Sequence, residues 1–229
     1  GRSAPTVINA VYNIENFWDG RASFWFNGRS IFGHRDVGAM VLKADLGTSI
    51  VTPTQIQIDR SALASQAVGP PLSGTEMSAH GRDFPKLGKK LLSLEPLQFQ
   101  IVHPTDSVLG PLVDVDGSGL STNYVQMIQD AFVDEWWLSD KLFDASFGEL
   151  LTTGTPANTD EFTLMEANFS FFWGLAIQMY ESTLVSDDSP YDQFQDGDVN
   201  ALSTLEIEGL DVFTRSNCLL CHTTPVFTS

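Results

Sequence analysis

The stretch Cys218-Leu219-Leu220-Cys221-His222 constrains this chain more than any other. Two cysteines three apart, followed at once by histidine, form the attachment signature of a c-type haem. The thiols add across the two haem vinyl groups, and the adjacent imidazole is then held beneath the iron as an axial ligand. A haem needs protein walls on both of its faces, so the fold around this motif must be built to hold a flat apolar disc. Two other readings are weaker. A dithiol redox pair also uses C-x-x-C, but near a βαβ pattern, and none precedes it here. A zinc site needs further cysteine or histidine ligands, and His34, His80 and His103 are all distant in sequence.

Both cysteines of the chain sit in this motif, so no disulfide framework is available. Covalent haem attachment takes place outside the cytoplasmic membrane, which predicts a periplasmic or otherwise extracytoplasmic protein. The 229 residues suffice for one large domain or two small ones, and a 42% hydrophobic content with 16 Phe supplies a core. Charge is lopsided, with 12 Lys and Arg against 29 Asp and Glu. That excludes the basic footprint of a nucleic-acid binder. It is compatible with a cationic partner, or simply with an acidic solvated surface. No run approaches the roughly 18 apolar residues of a membrane span. The opening Gly1-Arg2-Ser3-Ala4-Pro5 is no signal peptide and reads as the middle of a protein. The end, shortly after His222, leaves too little chain for the second haem wall. The expectation is a fragment.

Along the chain, residues 5–17 read as a helical turn or a buried loop. Asn27-Gly28 is a turn signal, and residues 50–58 alternate near their end, which predicts a small β-hairpin inside 23–60. A short helix is expected over 87–94, with Lys89 and Lys90 exposed. Asp114-Val115-Asp116-Gly117-Ser118-Gly119 imitates the start of a calcium loop, but its twelfth position is Val125 where a Glu is required, so it reads as a polar turn. A helix is expected from a Ser121 cap to about residue 138, a polar linker over 152–160, and a long buried helix over 161–184 with Glu166, Asn168 and Gln178 inside it. The acidic stretch 186–198 marks a domain junction. A helix over 200–213 then presents Leu202, Leu205, Leu210 and Phe213 on one face, toward the haem, and leads into the motif. The fold class is mainly α, with long loops.

Several blocks carry a resemblance. RSAPTVIN at 2–9 and FWDGRA at 17–22 come first. SALASQAVGPPLSGTEMS follows at 61–78, GLAIQMYESTLVSDDSPYDQF at 174–194, and GDVNALSTLEIEGLDVFTRSNCLLCH at 197–222. Together, in this order, they are similar to the bacterial dihaem cytochrome c peroxidase family, which includes the MauG-like enzymes. The resemblance implies cytochrome c-like haem domains. Residues 1–184 would be the distal part of the peroxidatic domain, with an insertion at 23–60 relative to compact members. Residues 185–229 would begin the electron-transfer haem domain.

It further implies that Glu76 is the acid–base catalyst over a peroxide-binding haem and that Gln66 helps hold that site. Trp18 would relay electrons between the haems. On composition alone Trp18 is core packing and Glu76 an ordinary solvated loop residue. The chemistry needs a group of this kind, since peroxide loses a proton on binding and its departing oxygen gains one. Haem c is the implied cofactor, one attached at Cys218 and Cys221 with His222 as axial ligand, and a second expected upstream. Calcium is a further candidate, although Ser3 stands where the family commonly has an Asn linked to it. The implied partners are hydrogen peroxide and a small cytochrome or cupredoxin donor, and the candidate assembly is a homodimer. A non-enzymatic electron carrier, a structural haem protein inside a larger assembly, and a MauG-like or oxygenase-like oxidase of another substrate are the rival functions.

Overall fold

The computed structural model describes residues 4–224 and 227. They fall into two compact units, Gly1–Leu184 and Val185–Ser229. The described residues are mainly helical, with seven α-helices and two small antiparallel hairpins.

The first unit is built around one apolar helix in two pieces, α4 (Leu164–Ala167) and α5 (Phe169–Glu181). Its start is a capping box. The Glu166 N–H donates to the Thr163 hydroxyl and the Thr163 N–H to the Glu166 carboxylate. The sequence pattern predicts one continuous helix over 161–184. The observed helix starts at Leu164 and is interrupted at Asn168, whose side chain is fully engaged elsewhere. Its Nδ2 donates to the carbonyls of Leu42 (2.7 Å) and Trp136 (2.8 Å), and its Oδ1 accepts from the Leu42 N–H (2.8 Å). A completely buried amide with all three bonds made fastens the helix to a strand far away in sequence.

That strand belongs to the hairpin expected inside 23–60. Strands β1 (Val41–Asp45) and β2 (Ile50–Thr54) pair from Val41 with Thr54 to Asp45 with Ile50. Helix α1 (Ala62–Ala67) follows and crosses α5 closely. A Cβ on Gly174 would lie 2.6 Å from the Phe26 ring and 3.0 Å from the Ala64 carbonyl. Helix α2 (Phe84–Leu91) starts before the expected 87, because Asp83 caps it by accepting from the Lys86 N–H and Pro85 occupies its first turn.

Helix α3 (Tyr124–Ala131) is capped by Asn123, not Ser121. It stops short of 138 because Phe132 turns extended, and a 3-10 turn, Asp134–Trp136, completes the stretch. A second hairpin, β3 (Lys141–Phe143) with β4 (Glu149–Thr153), occupies part of the expected linker. Two aromatic-rich clusters fill this unit. One centres on Phe26, Phe84, Phe169, Phe171 and Phe172, the other on Leu42, Phe143, Phe162 and Leu164. Each such side chain taken from water contributes about 1.5–3 kcal/mol.

The second unit holds α6 (Pro190–Gln195) and α7 (Thr204–Arg215), each opened by a capping box, Ser189 with Asp192 and Ser203 with Glu206. Helix α7 therefore begins at 204, not 200, since Ser203 supplies the cap. None of the described residues of this unit is buried. Among the described residues, no helix is long and apolar enough to cross a membrane.

Candidate haem-attachment and peroxide-site residues

Helix α7 ends at Arg215, where Ser216 turns extended, and the chain tightens into a 3-10 turn, Asn217–Leu220. The N–H groups of Cys221 (3.2 Å) and His222 (2.9 Å) both donate to the Cys218 carbonyl. One helical turn thus sets the two thiols, both free and exposed, at neighbouring positions with the imidazole directly after them. His222 Nδ1 lies 3.0 Å from the Phe227 carbonyl. A carbonyl only accepts, so Nδ1 carries the proton and Nε2 keeps its lone pair for a metal.

An aromatic row lies beside the imidazole. Phe213 is 6.4 Å from the His222 ring, Phe227 is 5.6 Å from Phe213, and Tyr191 is 4.7 Å from Phe227. Leu205 and Leu220 are 76% and 78% exposed. Two thiols one turn apart, an imidazole in the ligating tautomer and uncovered apolar side chains suit a covalently held porphyrin. The donors suit it better than a zinc ion. Among the described residues no three His, Cys, Asp or Glu side chains converge on a metal position.

In the first unit, FWDGRA is a tight loop closed by the antiparallel pairing of Asn16 with Ala22. Phe17 adopts a left-handed φ of 64°, and the Arg21 guanidinium lies 3.8 Å over its ring. Desolvation in the loop raises the Asp19 pKa, but hydrogen bonds from the Arg21 side chain and backbone outweigh it and hold this carboxyl below the usual range. The loop presents Trp18 at 93% exposure, so Trp18 is not core packing within this unit.

Gln66 sits on α1, half-buried. The chain then passes through Gly69 and a 3-10 turn, Pro70–Leu72, into the loop bearing Glu76. The Glu76 and Ser78 N–H groups both donate to the Ser73 carbonyl, which folds the loop on itself and leaves Glu76 exposed. A Cβ on Gly69 would lie 3.0 Å from Ile31 and 3.5 Å from the Phe17 ring. The FWDGRA loop, the 23–60 segment and the base of the Glu76 loop therefore meet at Gly69.

His34, His80 and His103 are exposed, and His103 bonds the Thr105 hydroxyl at 2.7 Å. Asp114 and Asp116 accept from the Val115 and Ser118 N–H groups, closing the polar turn. Arg2 and Ser3, with the calcium expectation attached to Ser3, lie outside the described residues. Sequence reasoning missed Arg29, a partly buried guanidinium stacked 3.9 Å over the Phe147 ring, whose pKa burial lowers. It also missed Trp173 as a partner of α1. Its signal was an indole, a ring that carries a hydrogen-bond donor, in the middle of an apolar helix.

No protein-family model matches the chain. Cytochrome c551 peroxidase of Pseudomonas aeruginosa is 26% identical over 221 residues, covering 96% of this chain and 36% of that protein. Cytochrome c peroxidase Ccp of Escherichia coli is 24% identical over 220 residues, covering 96% of this chain and 26% of that protein. Cytochrome c551 peroxidase of Nitrosomonas europaea is 44% identical over 50 residues, 22% of this chain and 15% of that protein. The chain thus spans little more than a third of the first relative and about a quarter of the second. Along nearly its whole length, then, the chain is similar to bacterial cytochrome c peroxidases, at about a quarter identity.

Proposed function

We propose that this chain is part of a c-type cytochrome that reduces hydrogen peroxide to water with electrons from a small cytochrome or cupredoxin, outside the cytoplasmic membrane. The observation that carries the reading is the joint presence of the attachment turn at Cys218–His222 and alignment over 96% of the chain with two cytochrome c peroxidases. Haem c, when bound, supplies a redox iron that passes electrons one at a time. Cys218 and Cys221 hold it by thioether bonds. His222 ligates it through Nε2, with Nδ1 tied to the Phe227 carbonyl. Residues 185–229 are read as the start of the electron-entry domain, of cytochrome c type, and residues 1–184 as the distal part of the peroxidatic domain, whose own haem is held elsewhere in the protein. Trp18, displayed by a stiff loop, is read as the electron relay.

Glu76 takes the proton that peroxide gives up and returns it to the departing oxygen. With two electrons and two protons, one peroxide becomes two waters. The exposure of Glu76, on a loop stiffened at its start by Pro70 and Pro71, supports access to a small polar substrate. Gln66 holds that site from α1. A homodimer and a calcium ion complete the assembly that the resemblance implies.

The test is steady-state oxidation of a reduced small cytochrome by peroxide, using the intact, haem-loaded protein. Two cytochromes are expected to be oxidised per peroxide, and a Glu76→Gln variant should lose about 100-fold in kcat, within the range of general acid–base catalysis. A wild type that exchanges electrons but consumes no peroxide would make the protein a carrier. Undiminished turnover in Glu76→Gln would remove the acid–base assignment alone.

A further inference from the structure

Helix α1 has six residues, four of them Ala or Ser, and isolated helices that short do not hold together in water. Its position must come from what it packs on, and α5 grips it at both ends. At the N-terminal end Gln178 makes three bonds. Its Oε1 accepts from the Ala64 N–H (3.0 Å), and its Nε2 donates to the Arg60 carbonyl (3.2 Å) and the Ser61 hydroxyl (3.1 Å). At the C-terminal end the Trp173 indole N–H donates to the Ala67 carbonyl (3.0 Å). Between them Gly174 lets the Ala64 backbone approach as close as a hydrogen side chain permits. At roughly 100° per residue, Trp173, Gly174 and Gln178 lie within one arc of about 140°. One face of α5 thus carries the whole grip.

Gln66 lies between these attachment points, and Ala67 is two residues before the Gly69 pivot of the Glu76 loop. We infer that Trp173 and Gln178 are positioning residues for peroxide chemistry. By clamping both ends of α1 they fix where Gln66 points and where the Glu76 loop departs. The inference rests on the peroxidase reading above. Neither side chain need touch peroxide or haem, because a displacement of about 1 Å at a reacting group is enough to cost up to 100-fold in rate.

The experiment uses the intact, haem-loaded protein with Trp173→Phe and Gln178→Glu. Phenylalanine keeps an aromatic ring beside Phe169 and deletes only the N–H donor. Glutamate keeps the acceptor for the Ala64 N–H. As a carboxylate it donates nothing, and once protonated it regains one donor. Both variants should lose about tenfold in kcat for peroxide, with the rate of reduction by the electron donor unchanged. Gln178→Glu should recover activity as pH falls, relative to wild type at the same pH. Hydrogen exchange should quicken in peptides covering 62–76 and stay constant over α3.

Wild type without peroxide turnover overturns the reading on which this rests, and exchange still reports whether the clamp exists. Wild-type turnover together with unchanged exchange and kcat in both variants overturns the clamp alone. A kcat loss without faster exchange at 62–76, or one that merely follows a lower Tm, also overturns it.

Discussion

The two units of this chain are stabilised in opposite ways. The first buries a Phe-rich core against α5 and ties its helices together with internal side-chain bonds from Asn168, Trp173 and Gln178. The second has capped helices, an aromatic row and no buried residue among those described. Arg215, ion-paired with Asp211, is its only Lys or Arg against a run of carboxylates from Asp187 to Asp211. Local capping of this kind contributes about 1 kcal/mol per helix, too little to offset the ordering of some forty residues at about 1–2 kcal/mol each. The first unit is organised by its own side chains. The second is held by its caps and its aromatic row, and a porphyrin at Cys218 and Cys221, as proposed above, would bring apolar faces for it to cover.

The sharpest way to break this contrast is to remove the attachment chemistry. Replacing Cys218→Ala and Cys221→Ala together should abolish haem staining on a denaturing gel of the intact protein at this site. Limited proteolysis should then cut residues 185–229 at least tenfold faster and leave 1–184 resistant. Equal resistance in both units would mean that the second folds without its haem. Next in size, Phe172→Ala empties the centre of the first core. A loss of about 3–5 kcal/mol in denaturant unfolding of that unit is expected, with haem attachment unaffected. Asn168→Ala strands the Leu42 N–H and two carbonyls at roughly 1–3 kcal/mol for each orphaned group. A thermal melt should show the shift, and a drop under 1 kcal/mol would mean that the break in the helix is not fixed by this amide.

The smallest effect is electrostatic and belongs to the second unit. Hydrogen bonds from the Ser203 side chain and backbone hold Glu206 below the usual carboxylate range, and Ser189 does the same for Asp192. A lowered folded pKa means stabilisation that is present above the unfolded pKa and fades as pH falls through the folded one. Circular dichroism should show α7 fraying at acid pH in the wild type. Glu206→Gln should flatten that dependence, and an identical titration in both proteins would count against the cap.

Helix α7 was legible because its signal is local, leucines at helical spacing, although its start at the Ser203 cap was missed. The first hairpin was expected inside 23–60, but the signals did not place it: Asn27-Gly28 lies outside it, and the chain turns between Asp45 and Ile50. The break at Asn168 was not legible, since its cause is a bond partner in β1, more than a hundred residues away. The second hairpin was hidden for a different reason. Strand β4 is exposed along nearly its whole length, with Leu151 fully in solvent, so no burial period marks it. The grip on α1 was half visible. Gln178 stood out as polar in an apolar helix, whereas Trp173 looked like more core.

The ring of Phe26, completely shielded from water, fills the crossing of α1 and α5 from within the 23–60 segment. Such a segment is no longer a removable embellishment. Excising it would leave the two helices with a hole at their closest approach. The exposed hairpin tip can change at little cost, whereas its root must keep this ring.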